Sequence, residues 1–384
     1  MFAGYGIADD KMDSYKDLDV RGKAVIILEG APADYKPAQT GFQNPSGTFG
    51  KLNAASKKGA VALLMIMKDF PRRSATIQSN WSLNGYRATI NPQLFYISQN
   101  IAATIMGEDG KGVFDKMTSN SLSGKTYKAN IDLSFKKTTL TTQVSNVMGL
   151  LEGTDKKDEY VFVTAHYDHV GKRGDSVIFY GADDDGSGTV SVLEIAEAFA
   201  KAKAEGKGPR RSIVFMTVSG EEHGLWGSAY YTNHPVYPLE KTTVDLNIDM
   251  IGRIGNDYMK DKDSVNYIYV IGDNKLSSDL TPITENINST YTKLKLDRKY
   301  NDPKDPNCFY YRSDHFNFAE KGVPIIFYFN GVHPDYHRPT DTPDKIKYDL
   351  MEKRARLVYY TAMEMANREE MLKRDIPLDS QKAF

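Results

Sequence analysis

The chain has 384 residues, a formal net charge of −1 and a single cysteine, Cys308. Near-zero charge gives no electrostatic case for nucleic acid or an anionic membrane, and no apolar run is long enough to span a bilayer. One cysteine excludes an intrachain disulfide framework and any multi-cysteine zinc or iron–sulfur site, while the length and the 40% hydrophobic content suit a soluble chain of two domains, or of one large domain with an elaboration.

The opening "MFAGYGIADD" reads as a strand and turn inside a domain, with no charged-then-apolar leader. The expectation is that residues are missing upstream, an export signal among them. That would place the protein in the periplasm, outside the cell or at its surface, with the cytoplasm as the alternative. A short strand at Gly22–Gly30 is followed by a loop broken by proline and glycine. "FGKLNAASKKGAVALLMIM" predicts a helix, a stop at Gly59 and a buried strand over Val61–Met67. "LFYISQNIAATIM" repeats strand then helix, and "TYKANIDLSFKKTTLTTQVSNVMGLLEG" alternates as half-buried strands do. No ligand or nucleophile constellation precedes about residue 160. Residues 1–128 are therefore expected to form a small, β-rich α/β module without chemistry of its own, and residues 129–384 a second domain.

In that second part strands are expected at Ser145–Leu151, Tyr160–His166, Ser212–Val218, Val244–Asp249, Tyr267–Gly272 and Pro324–Phe329. Helices are expected at Gly188–Ala204, Gly227–Asn233, Ser277–Asn288, Asp314–Lys321 and Lys345–Glu370. Val192, Ile195, Ala196 and Phe199 mark one apolar face at helical spacing. The alternation argues for an α/β fold with a mostly parallel sheet sandwiched by helices, in which sites form at the carboxyl ends of strands.

Polar residues gather at those ends. His166 closes a buried strand, and Asp168, two residues on, is placed to reach the ring nitrogen that a metal would not use. In "GADDDGSG" three aspartates, Asp183, Asp184 and Asp185, enter a helix whose cap needs one carboxylate; a ligand bridging two cations would explain the excess. Glu221 and Glu222 follow an apolar strand between Gly220 and Gly224, and diverging neighbours can divide metal binding from general-base work. His223 beside them is read as structural. Asp249 sits in an apolar setting and needs a partner; His337 lies on a proline-rich loop beside Tyr336. Singly, each has a bland reading as a cap, a solvated pair or a surface histidine. Together they supply the imidazole–carboxylate mixture that zinc prefers, and His166, Asp184, Glu222, Asp249 and His337 suffice for two ions if Asp184 is shared.

The stretches "AHYDH", "GADDDGSG", "SGEEHGLWGS", "NIDMIGR", "SDHFNFAEKGVPIIFY" and "YHRPTDTPDKI", in this order from about Ser145 onward, resemble the co-catalytic di-zinc aminopeptidase family. Glutamate carboxypeptidase, transferrin receptor and glutaminyl cyclase share its fold. The resemblance implies two zinc ions per chain, one on His166 and Asp249, the other on Glu222 and His337, with Asp184 bridging and a cis peptide after it. It implies Glu221 as general base, Asp168 as the residue orienting His166, and Tyr336 as a hydroxyl donor to the oxyanion. "GYGI", "VRGKAVIILEG" and "AASKKGAVALLMI" resemble a protease-associated domain.

The implied activity is hydrolysis of N-terminal residues from peptides. Alternatives are a carboxypeptidase or dipeptidase on the same site, a single-zinc glutaminyl cyclase, and a receptor-like relative without catalysis; retention of every ligand counts against the last two. Cys308 is read as a small buried residue near the pocket. Met250, Phe309, Tyr310 and Tyr328 read as ordinary core, and as a preference for apolar N-terminal residues if they line the first pocket. Peptide is the expected partner, and composition sets no oligomeric state.

Overall fold

A computed structural model describes residues 1–37, 44–71, 92–117, 122, 124–134 and 141–378. The chain divides into two compact units, Met1–Leu140 and Thr141–Phe384, later than the boundary expected near residue 128.

In the first unit, β1 (Ala24–Leu28), β2 (Ala62–Ile66) and β3 (Gln93–Ile97) form a parallel sheet in that order, joined through α1 (Thr48–Lys57). Helices α2 (Gln99–Met106) and α3 (Val113–Lys116) follow. All five residues of β2 are buried, as a continuous apolar run in a parallel sheet requires. Among the described residues, the strands expected from Thr126 are realised only at Val147–Leu151, which is itself mostly exposed; residues 128–134 are exposed outside any strand, while Tyr127 packs on the core of the first unit and donates to Asp109 Oδ2 (2.9 Å).

The second unit holds β4 (Val147–Leu151), β5 (Lys156–His166), a small hairpin of β6 (Lys172–Arg173) and β7 (Val177–Ile178), α4 (Gly186–Ala204), β8 (Arg211–Val218), α5 (Trp226–Asn233) and β9 (Thr242–Ile248). It continues with β10 (Tyr267–Ile271), α6 (Leu280–Ile287), β11 (Lys295–Asp297), α7 (His315–Glu320), β12 (Ile325–Phe329) and α8 (Tyr348–Asn367). Seven strands form one mixed sheet in the order β11-β10-β12-β9-β5-β8-β4. The central four, β12, β9, β5 and β8, are parallel.

Their sequences explain their position. β9 and β12 are buried at every residue, and alternate side chains feed two cores. Val163, Leu246, Val192, Phe199 and Val358 pack on the face covered by α4 and α8. Phe162, Val214, Phe318 and Tyr269 pack on the other. The four parallel strands therefore present their carboxyl ends along one edge, and the chain leaves that edge at His166, Val218, Ile248 and Phe329.

One buried cation braces the loops there. Arg354, fully buried on α8, donates to the carbonyls of Tyr267 (3.0 Å), Ile251 (2.8 Å) and Arg253 (2.7 Å). No helix among the described residues is long and apolar enough to cross a membrane.

Candidate metal centre

The three aspartates between β7 and α4 do three different things. Asp185 caps α4: its Oδ1 accepts from the amides of Gly188 (2.9 Å) and Met250 (3.0 Å), and its Oδ2 from the amide of His166 (3.2 Å). Asp183 turns the other way, accepting from the Gly252 amide (2.7 Å) and facing His333 Nε2 at 3.1 Å. Asp184 points into the site, and the peptide bond between it and Asp185 is cis, as the resemblance implies. The amides of Asp183 and Asp184 both donate to Asp341 Oδ2, at 3.0 and 3.2 Å.

Around Asp184 the expected ligands converge. Its Oδ1 lies 3.3 Å from His166 Nε2 and its Oδ2 3.0 Å from His337 Nε2. Asp249 Oδ1 is 3.7 Å from His166 Nε2, and Glu222 Oε2 is 3.0 Å from His337 Nε2. Two candidate metal-holding groups result: His166, Glu221 and Asp249, and His169, Asp184 and Glu222. His337 stands against the second, held in a left-handed backbone conformation (φ 54°).

These contacts test the fit of a metal. His166 Nε2, Asp184 Oδ2 and Glu222 Oε1 are buried and have no hydrogen-bond partner. Donor atoms that face one another without a hydrogen bond are costly unless something positive lies between them. Two ligands on one tetrahedral zinc stand about 3.4 Å apart, given metal–ligand bonds of about 2.1 Å. The separations found here bracket that figure, and the donor set of imidazole and carboxylate is the one zinc takes.

Supporting contacts fix the donor atoms. His166 Nδ1 lies 3.0 Å from the backbone carbonyl of Asp168; a carbonyl only accepts, so the proton sits on Nδ1 and Nε2 keeps its lone pair for the site. The Asp168 carboxylate, expected to orient His166, has its Oδ1 3.7 Å from His166 Nδ1. It also accepts from the amides of Glu221 (3.2 Å) and Glu222 (3.4 Å) and holds the loop that carries both glutamates. That loop turns at Gly220 (φ 80°), where a Cβ would come within 3.0 Å of the Trp226 side chain. Asp249 Oδ2 accepts from Ser313 Oγ (2.7 Å), which in turn accepts from Asn247 Nδ2 (2.9 Å).

Burial pushes Glu221 and Asp249 above the usual carboxylate range, and Asp314, whose carboxylate accepts from Ser228 Oγ, up to about 7. Burial opposes a charge on His337, but Asp184 and Glu222 raise it to about 10. The pocket is rich in acids and calls for positive charge.

Tyr336 stacks on the His337 ring (3.9 Å, 22°), and its phenol oxygen accepts from Arg312 Nη2 (3.3 Å), which leaves the hydroxyl proton for another partner. Asp184, Glu221, Asp249 and Tyr336 open on a small cavity of about 30 Å³ walled by Met250, Phe309 and Phe327. Tyr310 and Tyr328 do not line it and belong to the two cores. Cys308 is buried nearby, its Sγ 3.5 Å from the Asp305 carbonyl. His223 stacks on Trp226 and joins neither group. The sequence reading passed over His169, although its spacing of three from His166 in "AHYDH" was a signal; it gave Arg312 and Asp341 no role, and no local pattern marks them.

Residues 146–362 match peptidase family M28, more than half of the chain. The chain belongs to peptidase family M28. A probable leucine aminopeptidase of Arthroderma otae is 32% identical to this M28 chain over 216 residues, 55% of each protein. Aminopeptidase YwaD of Bacillus subtilis is 27% identical over 257 residues, 64% of this chain and 50% of that one. The chain thus spans about half the length of the curated relatives it matches. Two solved structures share the fold. One is an aminopeptidase from Aneurinibacillus sp. strain AM-1 (TM-score 0.56, 21% identity, 99% of this chain and 76% of that chain). The other is a zinc aminopeptidase from Bacillus subtilis (TM-score 0.55, 22% identity, 98% and 78%).

Proposed function

We propose that this M28 chain is a zinc aminopeptidase that binds two zinc ions and removes N-terminal residues from peptides. The observation that carries the reading is the division of Asp184: Oδ1 faces His166 and Oδ2 faces His337, so one carboxylate serves two groups of unpartnered donors. His166 and Asp249 would hold one ion and Glu222 and His337 the other, with Asp184 between. Zinc bound there supplies a Lewis acid and lowers the pKa of its water from about 16 toward about 7.

The chain's own residues do the rest. Glu221, 3.9 Å from His166 Nε2 and turned away from Glu222's partners, takes the proton of the attacking water and passes it to the leaving amine. The Tyr336 hydroxyl, fixed by Arg312, donates to the carbonyl oxygen as it gains negative charge. Met250, Phe309 and Phe327 offer an apolar wall for the first side chain, and the acids beside them suit a free ammonium end. The printed names of the curated relatives support the amino-terminal choice. The parallel three-stranded sheet of the first unit fits the protease-associated reading of residues 1–128, which remains part of this proposal.

Elemental analysis with a panel of free, N-blocked and C-blocked peptides tests it. Two zinc per chain, loss of activity on chelation and resistance of N-acetylated peptides are expected. Cleavage of N-acetylated peptides with resistance of C-amidated ones would establish a carboxypeptidase instead. Saturation at one zinc would favour the cyclase-type alternative.

A further inference from the structure

Two unpartnered nitrogens lie in the group of His169, Asp184 and Glu222, the less buried and so the outer of the two, on a residue to which the proposed mechanism gives no task. His169 follows β5 by three residues, and its side chain is only 9% exposed. Neither Nδ1 nor Nε2 has a hydrogen-bond partner. Nδ1 nevertheless lies 2.8 Å from Glu222 Oε1, itself unpartnered, and 3.9 Å from Asp184 Oδ2. At 2.8 Å an imidazole N–H aimed at a carboxylate would form a good hydrogen bond. The two atoms are close but not so aligned, which is the arrangement of two ligands turned toward one point.

The ring is built in. On one side it meets the edge of His337 (5.7 Å between centroids, 73°). On the other lies Gly181, where a Cβ would sit 2.5 Å from His169 Cγ and 2.8 Å from Cδ2. Gly181 also has φ +62°, so no other residue would be comfortable there and the space for the imidazole is kept open. Glu222 is thereby flanked, with Oε2 toward His337 and Oε1 toward His169.

We propose that His169 is a further zinc ligand, binding through Nδ1 the ion held by Asp184, Glu222 and His337. This rests on the two-zinc reading above and adds an asymmetry to it. Two imidazoles and two carboxylates complete a tetrahedral set, so the outer position is closed by protein. The inner position has His166, Asp249 and the shared Asp184, and keeps a place open for water. The outer ion is then the anchor and the inner one carries the exchangeable site.

Zinc stoichiometry and affinity by chelator competition test this without reference to turnover, on wild type, His169→Leu and His169→Asn. Asparagine keeps an amide donor near the Nδ1 position, but its nitrogen has no lone pair for a metal. Melting of the metal-free proteins checks that both variants fold. The expected result is two zinc in wild type, and in both variants one ion weakened by more than about a hundredfold, beyond the usual cost of losing a supporting partner, with the other within about threefold. If asparagine keeps the wild-type affinities while leucine does not, His169 only hydrogen-bonds Glu222 and the proposal is overturned. Unchanged affinities in both variants, or equal weakening of both ions, overturn it as well. A wild-type protein that saturates at one zinc sinks the two-zinc reading itself, an outcome visible before any variant is made.

Discussion

Asp341 carries no proposed chemistry, yet its removal should damage the site more than most changes at a comparable distance from the reacting atoms. Its side chain is fully buried, and one oxygen accepts the amides of both Asp183 and Asp184. Those residues are buried as well, so no water stands ready to replace it. Asp341→Ala strands two buried N–H groups at about 1–3 kcal/mol each, or about 2–6 kcal/mol together. For a unit of this size about 1 kcal/mol moves the melting temperature by about 2–4 °C, so the chelated variant should melt about 4–24 °C lower. Zinc affinity should fall too, because the backbone that aims Asp184 loses its clamp. Asp341→Asn keeps an oxygen for both amides but sets an NH2 group against the Arg253 guanidinium, whose Nη1 donates to Asp341 Oδ1 at 3.5 Å; only part of the stability should return. Thermal unfolding of chelated proteins and chelator competition give both numbers. An alanine variant that melts within about 2 °C of wild type, with the same zinc affinity, would show that the Asp184 loop is held by other contacts.

Three further outcomes follow from named contacts. Glu221→Gln should lower turnover by about 10²–10⁴-fold with zinc content unchanged, whereas Glu222→Gln should weaken zinc; exchanged behaviours, read by elemental analysis and kinetics, would reverse the assignment within the pair. Tyr336→Phe should reduce kcat by about a hundredfold or more with little change in KM or zinc content, and near-normal turnover would make Tyr336 a packing residue. In the first unit, burial lowers Lys51 to about 8, although Glu29 opposes the shift; its Nζ donates to the carbonyls of Leu28 and Gly30. Between that value and the unfolded pKa of about 10.4 only the unfolded chain holds this proton, so stability should rise with pH across the window. Protection of β1 amides in the full chain, measured by hydrogen exchange, should show the rise, and Lys51→Met should remove it.

The sheet was legible where its strands are apolar runs, as at Tyr160–Val163 and Ile325–Phe329, and where apolar residues alternate, as Val244, Leu246 and Ile248 do; that Asp245 and Asn247 between them are buried as well was not. Nor were the short strands. β6 and β7 have two residues each and β11 three, lengths at which tertiary contact rather than pattern decides. The expected helix at Lys345–Glu370 shortens to Tyr348–Asn367, since Pro343 belongs to a separate turn before it. At the site, residue types that bind metal announce themselves, and all five expected ligands meet. Residues acting through backbone amides do not announce themselves. Asp168 was assigned to His166, its neighbour in sequence, and its carboxylate also serves amides more than fifty residues away, which no local spacing shows. Asp341 reaches amides 157 and 158 residues distant, a pairing that no spacing rule contains.

That difference accounts for the density of acids around "GADDDGSG". A carboxylate in a dry interior needs donors, and there are two sources. Cations are one, and backbone amides at turns and helix starts are the other. Asp185 takes three amides, Asp168 two, Asp341 two and Asp183 one. These acids need no metal and form an outer ring that fixes the loops after β5, β8 and β9. Asp184, Asp249 and Glu222 have few or no amide partners among the described contacts, and their oxygens face imidazole nitrogens instead. The fold thus spends its backbone donors on the acids that shape the site. The acids that face inward are left with charge that only a cation can balance.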